Sequence, residues 1–131
     1  MKITATLENT FHQHTVTVQT NDTAQQLTIP SKPTGFGSSV NGGEFLCLAL
    51  ATCFCNDIYR EAKKKNINIT KVSVEASAEF AAEGDSGYNI SYSAKLEGDA
   101  SEEALAELVR HTDQVAEIQN TLRSDVKVNL R

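Results

Sequence analysis

Three cysteines, at positions 47, 53 and 55, carry the most reactive side chains of the chain and fall within nine residues of one another. An odd, crowded set of this kind suits reduced thiols better than a disulfide framework. In a helix successive residues advance by about 100°, so Cys53 and Cys55 would project to nearly opposite sides and could not bridge. Each thiol is therefore a separate candidate. A thiolate is a nucleophile and a redox centre, but a thiol of pKa about 8.5 ionises near neutral pH only beside a cation or hydrogen-bond donors. Without such neighbours a buried cysteine is simply a small hydrophobe.

The remaining chemistry-bearing groups are fewer. His12 and His14 would fall on one face of a strand, a spacing that can hold a metal but offers only two ligands, so no metal site is expected. His111 and Asp113 are two apart and would face different sides of a helix, which makes a surface histidine the expectation rather than an oriented base. Glu44 follows Asn41 by three residues, the pattern of a capping box at a helix start. No phosphate loop, Ser/His/Asp set or dinucleotide fingerprint is present, and no cofactor is expected.

The elements that must position these groups follow from periodicity. Ile3, Ala5, Leu7 and then Val16, Val18 alternate with polar residues, predicting three short antiparallel strands near 2–8, 12–19 and 24–29. Both prolines lie in Pro30–Asn41, which reads as a loop. The segment after Asn41 is apolar on all sides for three turns, so a helix there must be buried all round, in a core or between subunits. It turns basic at Lys63–Lys65, where lysines favour the negative end of the helix dipole. Alternation returns from Ile67 to Glu83 and from Tyr88 to Glu97 as a long hairpin around Gly-Asp-Ser-Gly. Ser101 caps an amphipathic helix whose polar middle, Arg110 to Gln114, is expected to break or kink it. Val126, Val128 and Leu130 predict a closing strand over 125–131. The result is an α+β fold in a single domain, residues 1–131, with an antiparallel sheet and a buried central helix.

Bulk properties narrow the function. Twelve basic against 17 acidic residues give a net charge of −5, which disfavours nucleic acid as a partner. The opening MKITATLENTFHQHTV lacks the charged and apolar regions of an export signal, and the apolar run Phe45–Phe54 is about half a bilayer span, so no membrane association and a cytoplasmic location are expected.

The element order, with GGEFLCLALATC, a basic helix end and NINITKVSVEASAEF, resembles the OsmC/Ohr family of hydroperoxide-reducing proteins. Glu44, the run Phe45–Leu50, Ala51-Thr52 and Cys53 are similar to the family's glutamate, apolar run, small pair and first cysteine. AEIQNTLR resembles its late-helix motif, with Ala116 where that motif has a second cysteine. The resemblance implies an intertwined homodimer whose active sites draw on both subunits. Glu44 and Cys53 are nine residues apart, roughly 13 to 14 Å along a helix and about 180° around it, so they could meet only if a second copy supplied one of them.

It further implies that Cys53 attacks a hydroperoxide to leave a sulfenic acid, with Glu44 of the other subunit organising the pocket. Two features depart from the family. Residues 1–59 contain no arginine, so Lys32, Arg60 or Arg110 would have to supply the activating charge. With alanine at 116, an external thiol would be the reductant, because Cys47 lies about 9 Å from Cys53 along the helix and Cys55 points away. The alternative is a non-catalytic relative that holds a small hydrophobic ligand in a dimer pocket lined by Phe36, Phe45 and Phe54. A dimer with no ligand is a third possibility.

Overall fold

Threonine- and valine-rich alternation at the start of the chain folds as a three-stranded antiparallel meander in the computed structural model, which describes residues 1–131. Its strands are β1 (Ile3–Thr10), β2 (Gln13–Thr20) and β3 (Thr23–Leu27), within a unit formed by Met1–Phe45. The register pairs Leu7 with Val16 and Val16 with Leu27, and directly opposed residues share a face. The alternation therefore puts Ile3, Ala5, Leu7, Val16, Val18 and Leu27 on one side of the sheet. His12 and Asn21 make the two tight turns in left-handed backbone conformations. His12 thus leaves the strand, and the expectation that it shares a strand face with His14 does not hold. Gly35 also has a positive φ, and the Phe11 ring lies against it so closely that no side chain would fit.

Helix α1 (Gly42–Lys64) begins with the capping box its sequence announced. The Asn41 N–H donates to Glu44 Oε2 at 2.7 Å, and the Glu44 N–H donates to Asn41 Oδ1 at 2.9 Å. The second unit, Leu46–Arg131, holds the rest of α1, the hairpin β4 (Ile69–Glu79) and β5 (Tyr88–Gly98), and helices α2 (Glu102–Val115) and α3 (Glu117–Arg123). Val72, Val74, Tyr92, Ala94 and Leu96 on one face of the hairpin pack against a buried cluster of Phe54, Ile58, Ala62, Leu108 and Ala116. Ser101 caps α2 through its hydroxyl, which accepts the Ala104 N–H at 3.1 Å. The fold is α+β with antiparallel sheets, as the patterning predicted.

Two local expectations change. The polar stretch Arg110–Gln114 is helical: Arg110 and Gln114 face solvent, His111 reaches Glu61, Asp113 accepts from Tyr92 and Arg123, and buried Thr112 bonds back to the Leu108 carbonyl at 2.7 Å. The interruption comes at Ala116, whose extended backbone (φ −76°, ψ 114°) separates α2 from α3. Residues 125–131 form no strand, since no strand of the chain pairs with them, and Val128 and Leu130 are 98% and 103% exposed. Helix α1 buries Leu50, Phe54, Ile58 and Ala62 on one side but leaves the stripe Leu48, Thr52, Asn56 and Tyr59 in solvent, so within one chain it is covered on one side only.

Candidate active site

Cys53 and Asp57 lie one turn apart on the same face of α1, the spacing that lets helical side chains meet. The Cys53 thiol donates to Asp57 Oδ2 at 3.3 Å, and Glu117, at the first turn of α3, brings its Oε2 to 3.9 Å from the sulfur. Arg60 closes the group. Its Nη1 is 2.9 Å from Asp57 Oδ1 and 3.0 Å from Glu117 Oε1, while its Nε donates to Glu61 Oε1 at 2.8 Å. The guanidinium therefore neutralises both carboxylates without touching the sulfur. Asp57 is only 5% exposed, whereas Cys53 is half-buried and Glu117 is open to water.

These surroundings set the protonation states. Burial pushes the Cys53 thiol above its ordinary pKa; the Ile118 N–H opposes this, and the Asp57 hydrogen bond and the charges of Asp57 and Glu117 add to it. Burial also raises the Asp57 carboxyl, against the pull of Cys53 and Arg60. Glu117 is lowered, first by its own backbone N–H and further by Arg60. In a single chain Cys53 is thus a protonated thiol held against a carboxylate that binds protons more readily than usual. Sγ, Asp57 and Glu117 offer three ligand atoms within 4.8 Å of one another, but a metal there would have to displace the guanidinium from both carboxylates.

A neighbouring ion cluster anchors this face of α1. Buried Glu61 accepts from Lys64 and Arg60, each at 2.8 Å, and sits 3.0 Å from His111 Nε2. Lys64 first, then Arg60 and His111, hold its carboxyl down to about 2. A carboxyl lowered on folding stabilises the native state above its unfolded pKa and loses that contribution as pH falls toward the folded value. The urea midpoint is therefore expected to drop as pH is lowered from about 5 to about 2. In Glu61→Gln that part of the drop should be missing, and an unchanged pH profile would show that the cluster carries no such linkage.

The other residues singled out by sequence are distributed as follows. In the first unit Glu44 is engaged with Asn41, Lys32 pairs its backbone with Gly37, and Phe36 packs on Phe11 with ring centroids 5.3 Å apart. His14 is bonded to Asn9 at 3.0 Å. Phe45 is half-buried at the helix start. In the second unit Phe54 is fully buried, its ring 4.8 Å from that of Tyr92. Cys47 and Cys55 are free and half-buried. Arg110 pairs with Glu107 at 2.8 Å. His111 and Asp113 do not pair, since Asp113 accepts from Tyr92 and Arg123 instead. Sequence reasoning missed Asp57 and Glu117. The first was legible as an i, i+4 partner of Cys53, and the second directly follows Ala116, the position matched to a second cysteine.

Comparison with known proteins adds the following. The family model described as OsmC-like protein matches residues 35–131. No curated protein matches the chain. An OsmC-like protein from Mycoplasma pneumoniae shares the fold at 21% identity, with a TM-score of 0.62 over 95% of this chain and 87% of the other. An organic hydroperoxide resistance protein from Elizabethkingia anophelis does so at 17% identity, TM-score 0.64, over 97% and 91%. The organic hydroperoxide resistance protein OhrB of Bacillus subtilis does so at 19% identity, TM-score 0.58, over 97% and 94%. No helix is long and apolar enough to cross a membrane.

Proposed function

The chain belongs to the OsmC-like protein family, and on that premise we propose that it acts in peroxide resistance, with Cys53 as a one-cysteine reductant of organic hydroperoxides. The observation that carries this is the contact between the half-buried Cys53 thiol and the Asp57 carboxylate. Two of the structural neighbours are named organic hydroperoxide resistance proteins, which supports the same role.

In the proposed reaction Asp57 takes the thiol proton as Sγ attacks the terminal peroxide oxygen. The O–O bond breaks, the leaving alkoxide recovers a proton from Asp57, and an alcohol departs. Sulfur, oxidised by two electrons, is left as the sulfenic acid. An external dithiol then displaces the hydroxyl as water, forming a mixed disulfide, and its second thiol releases Cys53 as the free thiol. Ala116 makes that external reductant necessary. Arg60 offsets the charge of Asp57 and Glu117 throughout.

Glu44 and Lys32 enter through a homodimer, in which a second copy brings its Glu44 toward Cys53. Two features support association. The stripe Leu48, Thr52, Asn56 and Tyr59 of α1 and the residues Ile3, Leu7 and Leu27 of the apolar sheet face are exposed in one chain. Sedimentation velocity at about 100 µM is expected to give a species of twice the chain's mass; a stable monomer would remove Glu44 from the site.

The cysteine–carboxylate pair makes a signed prediction. Replacing Asp57 by asparagine removes a negative acceptor that favours the protonated thiol, so iodoacetamide alkylation of Cys53 at pH 7 should rise about tenfold. Peroxide turnover should fall in the same variant, because the proton acceptor is gone. In the unsubstituted protein alkylation of Cys53 should keep rising past pH 9, since the thiol titrates above its ordinary value. A joint rise of alkylation and turnover in Asp57→Asn would mean that Asp57 only restrains the thiol. A protonated thiol also suits the second reading, a non-catalytic relative binding a small hydrophobic molecule beside Phe36 and Phe45 of a dimer. Absence of any turnover at pH 9 with a dithiol present would favour it.

A further inference from the structure

The charges around Cys53 decide which molecules can approach its sulfur. Asp57 Oδ2 lies 3.3 Å from Sγ and Glu117 Oε2 lies 3.9 Å from it. Asp57 is buried, but the Glu117 side chain is 62% exposed and meets solvent beside the sulfur. Its carboxyl is held below the ordinary range, first by its own backbone N–H and further by Arg60, and is ionised at neutral pH. The nearest cation is turned toward carboxylates, since Arg60 contacts Asp57 Oδ1, Glu117 Oε1 and Glu61 Oε1. Glu61 has Lys64 and His111 as well, which leaves one guanidinium to serve Asp57 and Glu117. A single positive charge balances only one of the two. The donor at the sulfur itself, the Ile118 N–H, is uncharged. A reacting atom that comes to about 3.5 Å from Sγ must lie within about 7.5 Å of both carboxylate oxygens. That is inside the roughly 8 Å over which physiological salt screens charge.

We propose that Glu117 is a specificity-determining residue: with Asp57 it makes the approach to Cys53 admit uncharged reactants and turn away anionic ones. The substrate class rests on the peroxide-reducing reading above. Within it the substrates are neutral alkyl hydroperoxides, not hydroperoxides that carry a carboxylate close to the O–O bond. Such a carboxylate would sit against two like charges, and in a partly desolvated site their repulsion exceeds that in bulk water. A neutral hydroperoxide has the opposite relation to the same group. Glu117 Oε2, whose contact with the sulfur is long, can accept its O–H as a charge-assisted hydrogen bond. Glu44 and Lys32 of a second copy would bring one charge of each sign, which leaves the balance as it is.

The test compares neutral and anionic reagents of matched size on the full chain. Cys53 is alkylated with iodoacetamide and with iodoacetate, each losing iodide to the sulfur, and its rates are read by peptide mass against N-acetylcysteinamide, an uncharged thiol. The ratio of the two rates cancels the thiolate fraction, which is common to both reagents. At Cys53 the iodoacetate-to-iodoacetamide ratio is expected to fall about tenfold below the reference at about 0.02 M salt and to approach it at about 0.5 M, as screening requires. Glu117→Gln should raise the ratio by at least about threefold, whereas Glu117→Asp, which keeps the charge, should not. In parallel, kcat/KM for the methyl ester of 3-hydroperoxy-3-methylbutanoate should exceed that for the free carboxylate by about tenfold. A ratio equal to the reference, or one that Glu117→Gln leaves unchanged, would overturn the proposal. Equal turnover of ester and carboxylate would overturn it too, while leaving Cys53 as the reductant. Turnover of neither, with the alkylation ratio as expected, would remove the peroxide reading and uphold the charge selection at Cys53.

Discussion

Replacement of Cys53 by serine is expected to lower consumption of cumene hydroperoxide, with a dithiol as reductant, by at least about a hundredfold. A hydroxyl in the same place is neither as readily deprotonated nor as nucleophilic toward an O–O bond as a thiol. Cys55→Ser and Cys47→Ser should stay within about twofold of the unsubstituted rate. Both cysteines are free and half-buried, so they serve as internal controls for thiol content and exposure. Cys53 alone has a carboxylate in hydrogen-bond contact and a backbone N–H directed at its sulfur. Turnover that survives in Cys53→Ser, or disappears equally in all three variants, would move the chemistry elsewhere. Intact-mass measurement after one equivalent of peroxide gives an independent check, because the proposed sulfenic acid adds one oxygen to the wild-type chain and none to Cys53→Ser.

Phe54→Ala should destabilise the protein by about 3 to 5 kcal/mol, read as a lower urea midpoint with an unchanged slope. The residue is fully buried and joins both halves of the core, packing in one cluster with Ile58, Ala62, Leu108 and Ala116 and meeting Tyr92 across the hairpin. Truncation removes a ring from the point where α1, β5 and α2 converge. Phe54→Leu keeps most of the volume and should cost no more than about half as much. A loss below about 1 kcal/mol for the alanine variant would mean that this cluster is not the principal core of residues 46–131. The same experiment bears on ligand models, because a ring with no exposed surface reaches a bound molecule only if the core opens.

Much of this architecture could be read from residue order, and the parts that could not share a physical cause. Alternation in Val72–Ala78 and Ile90–Ala94 located the hairpin and its inward face, because a half-buried strand has a period of two whatever its partner. Asn41 with Glu44 and Ser101 marked two helix starts, since capping chemistry is local. Asp57 and Glu61 were hidden by their own polarity. Charged residues toward the end of a helix read as solvated, yet Arg60 pairs with Asp57, Lys64 and Arg60 pair with Glu61, and His111, 50 residues further along the chain, joins Glu61. Non-local pairing also decided the tail. Val126, Val128 and Leu130 have a strand's alternation, but a strand exists only where another lends it a ladder. The break at Ala116 was misplaced because polar side chains that find partners on other elements look, in sequence, like an interruption.

That tail has a consequence for the behaviour of the polypeptide at high concentration. Extended, it would hold three greasy side chains on one flank of a backbone whose donors and acceptors are idle. Such a segment primes ladder growth on any open sheet margin it meets, correct or not. Crowding during production should therefore favour clumping through this segment.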